Sequence, residues 1–137
     1  MILKRKWMIL AALLIFPLVQ ACTQDKSTSG VEFVEPKDGA TVSQMVNVVM
    51  AVHGMQVHKA GELIEGTGHH HIIIDGASIA KGDVVPNDDT HKHFGKGQTG
   101  TVLHLTPGDH TLTLQLADGH HQSYGKGMSQ TITVHVK

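Results

Sequence analysis

Hydrophobic residues recur along most of this chain with a period of two. From Val46 to His53, Val46, Val48, Met50 and Val52 alternate with Asn47, Val49, Ala51 and His53, which predicts a strand with one apolar face. Val31–Glu35, His70–Asp75, Thr99–Leu105, His110–Ala117 and Ser129–Val136 read as further strands, and in the last Ile132, Val134 and Val136 share a face. EPKDGAT forms a turn after the first strand, and Thr106-Pro107-Gly108-Asp109 is expected to close a hairpin between its neighbouring strands. No segment carries the stripe of an amphipathic helix. Six to seven short strands predict an all-β fold, an immunoglobulin-like β-sandwich.

The first 22 residues follow another pattern. Lys4, Arg5 and Lys6 precede an apolar run from Trp7 to Val19, and small residues lead into Cys22, as in an export signal. The run is shorter than the roughly 20 residues a transmembrane helix needs. Leu18-Val19-Gln20-Ala21-Cys22 resembles a bacterial lipobox, in which the cysteine is lipidated and becomes the first mature residue. The expected organisation is a lipoprotein signal peptide over 1–21, lipidated Cys22 with a flexible polar tether to residue 30, and one domain over 31–137. The lipid would attach the domain to the bacterial envelope, facing the periplasm. Thr23, which is not an aspartate, gives no signal for retention at the inner membrane, so the outer membrane is the expected location. The 137 residues less 21 leave 116, room for a single core.

Composition narrows the function. Of 11 basic residues three lie in the signal, so eight lysines face 12 acidic residues and the mature chain carries about −4. It has no arginine, and its aromatics are Phe33, Phe94 and Tyr124. A nucleic-acid binder would need a basic footprint or stacking platforms, so that class is excluded. Cys22 is the sole cysteine and is expected to be consumed by lipid, which would leave neither a disulfide nor a thiolate ligand.

Against this sparse background stand 12 histidines. Residues two apart on a strand share a face about 6.6 Å apart, so His69 with His71, or His91 with His93, could both reach one ion. His70 points the other way and reads as packing. Asp75 shares the phase of His69 and His71 but lies about 13–20 Å along the strand, too far to join them. In an immunoglobulin-type sandwich the connections after the second, before the fifth and after the sixth strand gather at one end. That arrangement brings His58, His69, His71, His91, His93, His120 and His121 toward one place. His53, His104 and His135 sit on polar phases and read as solvent-facing. His110, at a corner position before an alternating strand, reads as structural.

The expected metal ligands are therefore His69, His71, His91, His93 and His121, with Met55 as a thioether donor and Met128 nearby. Imidazole suits copper, zinc and nickel, and a thioether favours Cu(I), so copper is the expected ion, with zinc as the alternative. The expected role is binding or homeostasis rather than catalysis, with the metal ion and the membrane as partners. A copper-dependent redox enzyme and a metal-free scaffold or adhesion module are the competing readings. No Ser-His-Asp order, paired-carboxylate motif or phosphate loop supports a hydrolase.

GHHHIIID, HKHFGKGQT and PGDHTLTLQLADG, in that order behind EPKDGATV, resemble the bacterial envelope family called domain of unknown function 4399. The resemblance runs from about Val31 to the C-terminus. It points to His69, His70, His71, His93, Phe94, Gly95, Gly97, Gln98, His110 and His121 as the family pattern. The chain departs from that pattern at Lys59, at Gly100 and in Gln122-Ser123-Tyr124-Gly125. What the resemblance implies is an exported, His-rich envelope domain.

Overall fold

A computed structural model describes residues 30–137; the expected signal, Cys22 and the tether up to residue 29 lie outside the described residues. Nine strands follow in order: β1 (Gly30–Glu35), β2 (Ala40–Val42), β3 (Met45–His53), β4 (Gln56–Val57), β5 (Thr67–Ile74), β6 (His91–His93), β7 (Gly100–His104), β8 (Gly108–Ala117) and β9 (Ser129–Val136). They form two sheets. One has the order β1-β3-β7; the other runs β2-β9-β8-β5-β4, with β6 also paired to β5. Among the described residues the only helical turn is a three-residue 3₁₀ segment at Lys126–Met128.

Period-two alternation explains the core. Phe33, Val46, Val48, Met50 and Leu103 point inward from the small sheet, and Ile72, Leu112, Leu114, Leu116, Ile132 and Val134 meet them from the large one, all at most 5% exposed. Each such side chain contributes about 1.5–3 kcal/mol by leaving water.

The expected hairpin between β7 and β8 does not form. β7 pairs with β3, whereas β8 lies between β5 and β9 in the other sheet, so Thr106-Pro107-Gly108 carries the chain across the sandwich. Leu103 and Leu105 on one side and Leu112, Leu114 and Leu116 on the other thereby face each other across the core, where a flat hairpin would set them side by side.

The large sheet is buried on both faces. Its outer face carries His69, His71 and Ile73 from β5 and Thr113, Gln115 and Ala117 from β8, all at most 1% exposed. Two irregular segments cover them, residues 76–90 and 118–128. Gln115 ties both down: its Oε1 accepts from the Ile79 N–H at 3.2 Å, and its Nε2 donates to the carbonyls of Gly125 at 3.1 Å and Met128 at 3.2 Å. Such a satisfied buried amide holds an irregular cover in one arrangement.

At the far end of the β5–β8 pair, His110 Nδ1 donates to Asp75 Oδ2 at 2.8 Å and its Nε2 donates to the Thr106 carbonyl at 2.9 Å. Both nitrogens face acceptors, an arrangement that favours the imidazolium form, and the Asp75 hydrogen bond raises its pKa above the ordinary value. A raised folded-state pKa contributes stability that is full below about pH 6.5 and is lost as pH rises through the raised value. Asp75 occupies left-handed backbone at φ 54°, which asparagine also tolerates. Asp75→Asn is therefore expected to lower Tm more at pH 6 than at pH 9; equal losses at both would show the charge to be irrelevant.

Candidate metal centre

The first half of β5, Thr67-Gly68-His69-His70-His71, decides the site. Alternation sends His69 and His71 to the outer face and His70 into the core with Ile72. β6 pairs antiparallel with the same strand, placing His93 directly across from His71 and His91 across from Ile73. Four rings meet on that face. The centroids of His69, His71, His93 and His121 lie 4.7–6.0 Å apart in every pairing. The candidate ligand atoms of His69, His71 and His93 all fall within 4.8 Å of one another, close enough to hold a metal ion.

His121 reaches the cluster from the loop after β8. Asp118 Oδ1 accepts from the His120 N–H at 2.8 Å and the Gln122 N–H at 2.9 Å, winding the loop into a tight turn. His121 then adopts left-handed backbone at φ 67°, a conformation that costs a non-glycine residue about 1–2 kcal/mol. Its Nε2 comes within 3.1 Å of His93 Nε2, while the Nε2 atoms of His69 and His71 are 2.9 Å apart.

These contacts have an electrostatic consequence. Two neutral imidazoles share a proton between Nε2 atoms only when one of them offers its lone pair and carries its own proton on Nδ1. Nδ1 of His69 and Nδ1 of His71 are both buried without a partner. An unpaired buried donor costs about 1–3 kcal/mol, so hydrogen bonding alone gives no reason to gather these rings. Lone pairs converging on one point are what an ion requires.

Burial, reinforced by His93 and His121, pushes the His69 imidazole down to about 4, and burial with His69 and His93 beside it pushes His71 down to about 3. His93 is lowered as well, through burial and then His121. The rings of His69 and His71 are therefore neutral, and so able to ligate, well below neutral pH.

His93 stands at the rim, exposed, where the others are buried or half-buried. Gly95 makes room for it: a Cβ there would overlap the Cε1 and Nε2 atoms of the His93 ring. Nothing in the motif HKHFG identifies that contact until the chain is folded. Gly95→Ala is expected to turn the His93 ring away and weaken metal affinity at least tenfold. The metal-free fold should change by less than about 1 kcal/mol, since the displaced ring is at the surface. Unchanged affinity by calorimetric titration would remove His93 from the ligand set.

Other residues expected at the site lie elsewhere. His91 turns to Asp88, with Nδ1 2.8 Å from Oδ1, and its hydrogen bond lowers the Asp88 pKa. Met55 packs against the sandwich core, on the opposite side of the large sheet from the histidine cluster. Met128 is buried in the same core. His58 Nδ1 is 3.0 Å from the carbonyl oxygen of Lys59, and His120 is exposed. His70 is fully buried in the core with neither ring nitrogen partnered, and desolvation pushes it down to about 4.

One group of lining residues had no signal in the sequence. Val84, Val85, Pro86 and Asn87 close over the cluster and, with His71, His93 and His121, enclose a pocket of about 260 Å³. The Val85 N–H donates to the His121 carbonyl at 2.9 Å, joining the two covering segments at the site.

Fold and site together define an all-β sandwich with a metal-competent histidine cluster on the outer face of its larger sheet. The family described as Domain of unknown function (DUF4399) matches residues 48–137, and the chain belongs to that family. Among solved structures it is similar to the endo-beta-1,4-mannanase from Thermotoga petrophila, with a TM-score of 0.47 and 17% identity. That alignment covers 83% of this chain and 21% of the mannanase chain, so the chain spans about a fifth of that enzyme's length. No curated protein matches the sequence.

Proposed function

We propose that this protein is a lipid-anchored domain of the bacterial envelope that binds a transition-metal ion, copper before zinc, through His69, His71, His93 and His121. The convergence of four imidazoles on one buried sheet face carries the reading. Because the thioether of Met55 faces the core, the donor set is imidazole alone, which shifts the preferred state from Cu(I) to Cu(II). Among divalent ions in such a nitrogen site Cu(II) binds most tightly.

The role is holding and releasing the ion rather than turning over a substrate. The lipid at Cys22 would keep the site at the membrane surface, as the ordered charged, apolar and small-residue zones of the signal support. Metal analysis of the protein purified from a native envelope tests the first half: about one copper per chain supports the reading, zinc revises the ion, and a metal-free protein that also refuses both ions overturns it. Cys22→Ala tests the second half. It is expected to abolish lipid labelling and release the domain from the membrane, and mature protein that stays attached would refute the anchor.

A further inference from the structure

We propose that the bound ion takes an additional ligand from outside the protein, a small inorganic monoanion, in the pocket formed by His71, His93, His121 and the Val84–Asn87 segment. This inference rests on the metal reading above and names what that site would accept.

Charge carries the argument. Every ligand the protein offers is an imidazole, which adds no charge of its own when a ring nitrogen binds the metal. A divalent ion among them therefore keeps its full double charge. No carboxylate lines the pocket: its walls are Val84, Val85 and Pro86, with Asn87 the one side-chain amide. Asp83, Asp88 and Asp118 lie near the site in the chain but none lines the pocket; Asp118 accepts from the His120 and Gln122 N–H groups, and Asp88 is bonded to Thr90 and His91. A net charge enclosed by apolar walls is costly unless a counter-charge accompanies it. A monoanion bound at the metal supplies that counter-charge at the ion itself, where the pocket wall offers no carboxylate.

Space permits it. Three of the four rings share the wall of a pocket of about 260 Å³, so the ion's approach is not sealed by protein on that side. Cu(II) favours tetragonal coordination, so four imidazoles leave it an axial position that a ligand from solution can take. Aliphatic walls without lysine or arginine would not attract an anion in the absence of the metal, which makes its binding conditional on the ion.

The test uses the full-length protein in detergent, loaded with Cu(II), and azide as the anionic probe. Azide is expected to produce a saturable charge-transfer absorption and a changed electron paramagnetic resonance spectrum, and to leave metal-free protein untouched. Val84→Phe fills the pocket mouth from a residue that is 60% exposed and so should fold normally. It is expected to weaken azide binding at least tenfold with copper stoichiometry unchanged. Copper uptake without any azide response overturns this proposal alone, as does azide binding that ignores Val84→Phe. Tighter binding of neutral 4-methylimidazole than of azide overturns the anionic class. Failure to take up copper overturns the metal reading and this proposal together.

Discussion

Cu(II) at a hundredfold excess over its Kd is expected to stabilise the folded domain by about 2.7 kcal/mol, because an ion that binds only the native state shifts unfolding by mass action. For a domain of this size that is a rise in Tm of roughly 10–20 °C. The double substitution His71→Ala with His93→Ala removes one buried ligand and one rim ligand that face each other across β5 and β6, and should abolish the rise. Proton competition sets its pH range. An isolated imidazole, with a pKa of about 6.5, would begin to lose metal below pH 6. Here burial has moved His69 to about 4 and His71 to about 3 and lowers His93 as well, so these ligands stay neutral further into acid and the stabilisation should outlast pH 6 and be lost toward pH 4. Thermal unfolding with and without Cu(II) at pH 7.5, 5 and 4 checks this. A double variant that keeps the full shift would show that these histidines do not hold the ion.

The metal-free domain is expected to be strongly acid-labile. His69, His70 and His71 have folded-state pKa values of about 4, 4 and 3, below the ordinary 6.5 of the unfolded chain. Between those limits the unfolded state binds more protons, so stability is lost as pH falls from about 6.5 toward 4. Each ring costs about 2 kcal/mol by pH 5, and the three together about 4–6 kcal/mol, a large share of the 5–15 kcal/mol typical of a domain. His70 isolates the effect, since its ring lies in the core, away from the candidate ligands. His70→Leu replaces an unpartnered polar ring by an aliphatic side chain of similar size. It should raise stability by about 1–3 kcal/mol at pH 7.5 and by about 2 kcal/mol more at pH 5. Urea unfolding at the two pH values provides the measurement. A variant with the same pH dependence as the parent would mean that His70 is not protonated on unfolding, and that the burial argument fails.

Much of the fold could be read in the sequence because it depends on local geometry. Val46, Val48, Met50 and Val52, or Ile132, Val134 and Val136, declare a strand and its inner face without reference to anything distant. The short strands were invisible for the opposite reason. β2, β4 and β6 are three, two and three residues long with no apolar alternation, and they exist because β9 and β5 have free edges that accept them. The β7–β8 connection misled for a related reason: a Pro-Gly turn specifies a reversal, but which sheet receives the next strand is settled by where its apolar face finds a partner.

The site divides along the same line. The sequence by itself determined that His69 and His71 share a face, that His70 opposes them, and that Asp75 is out of reach, since backbone pitch and residue identity suffice for each. Only the tertiary structure decided that this face is the outer side of a sheet buried beneath residues 76–90, so that the rings are desolvated and neutral. It likewise chose His93 over His91, because Asp88 captures one ring while Gly95 leaves space for the other. The Asp118 turn sent His121 inward and left His120 outside, and Met55 went to the core rather than the metal. Strand phase tells which side of its own backbone a residue takes; what waits on that side is set by long-range pairing.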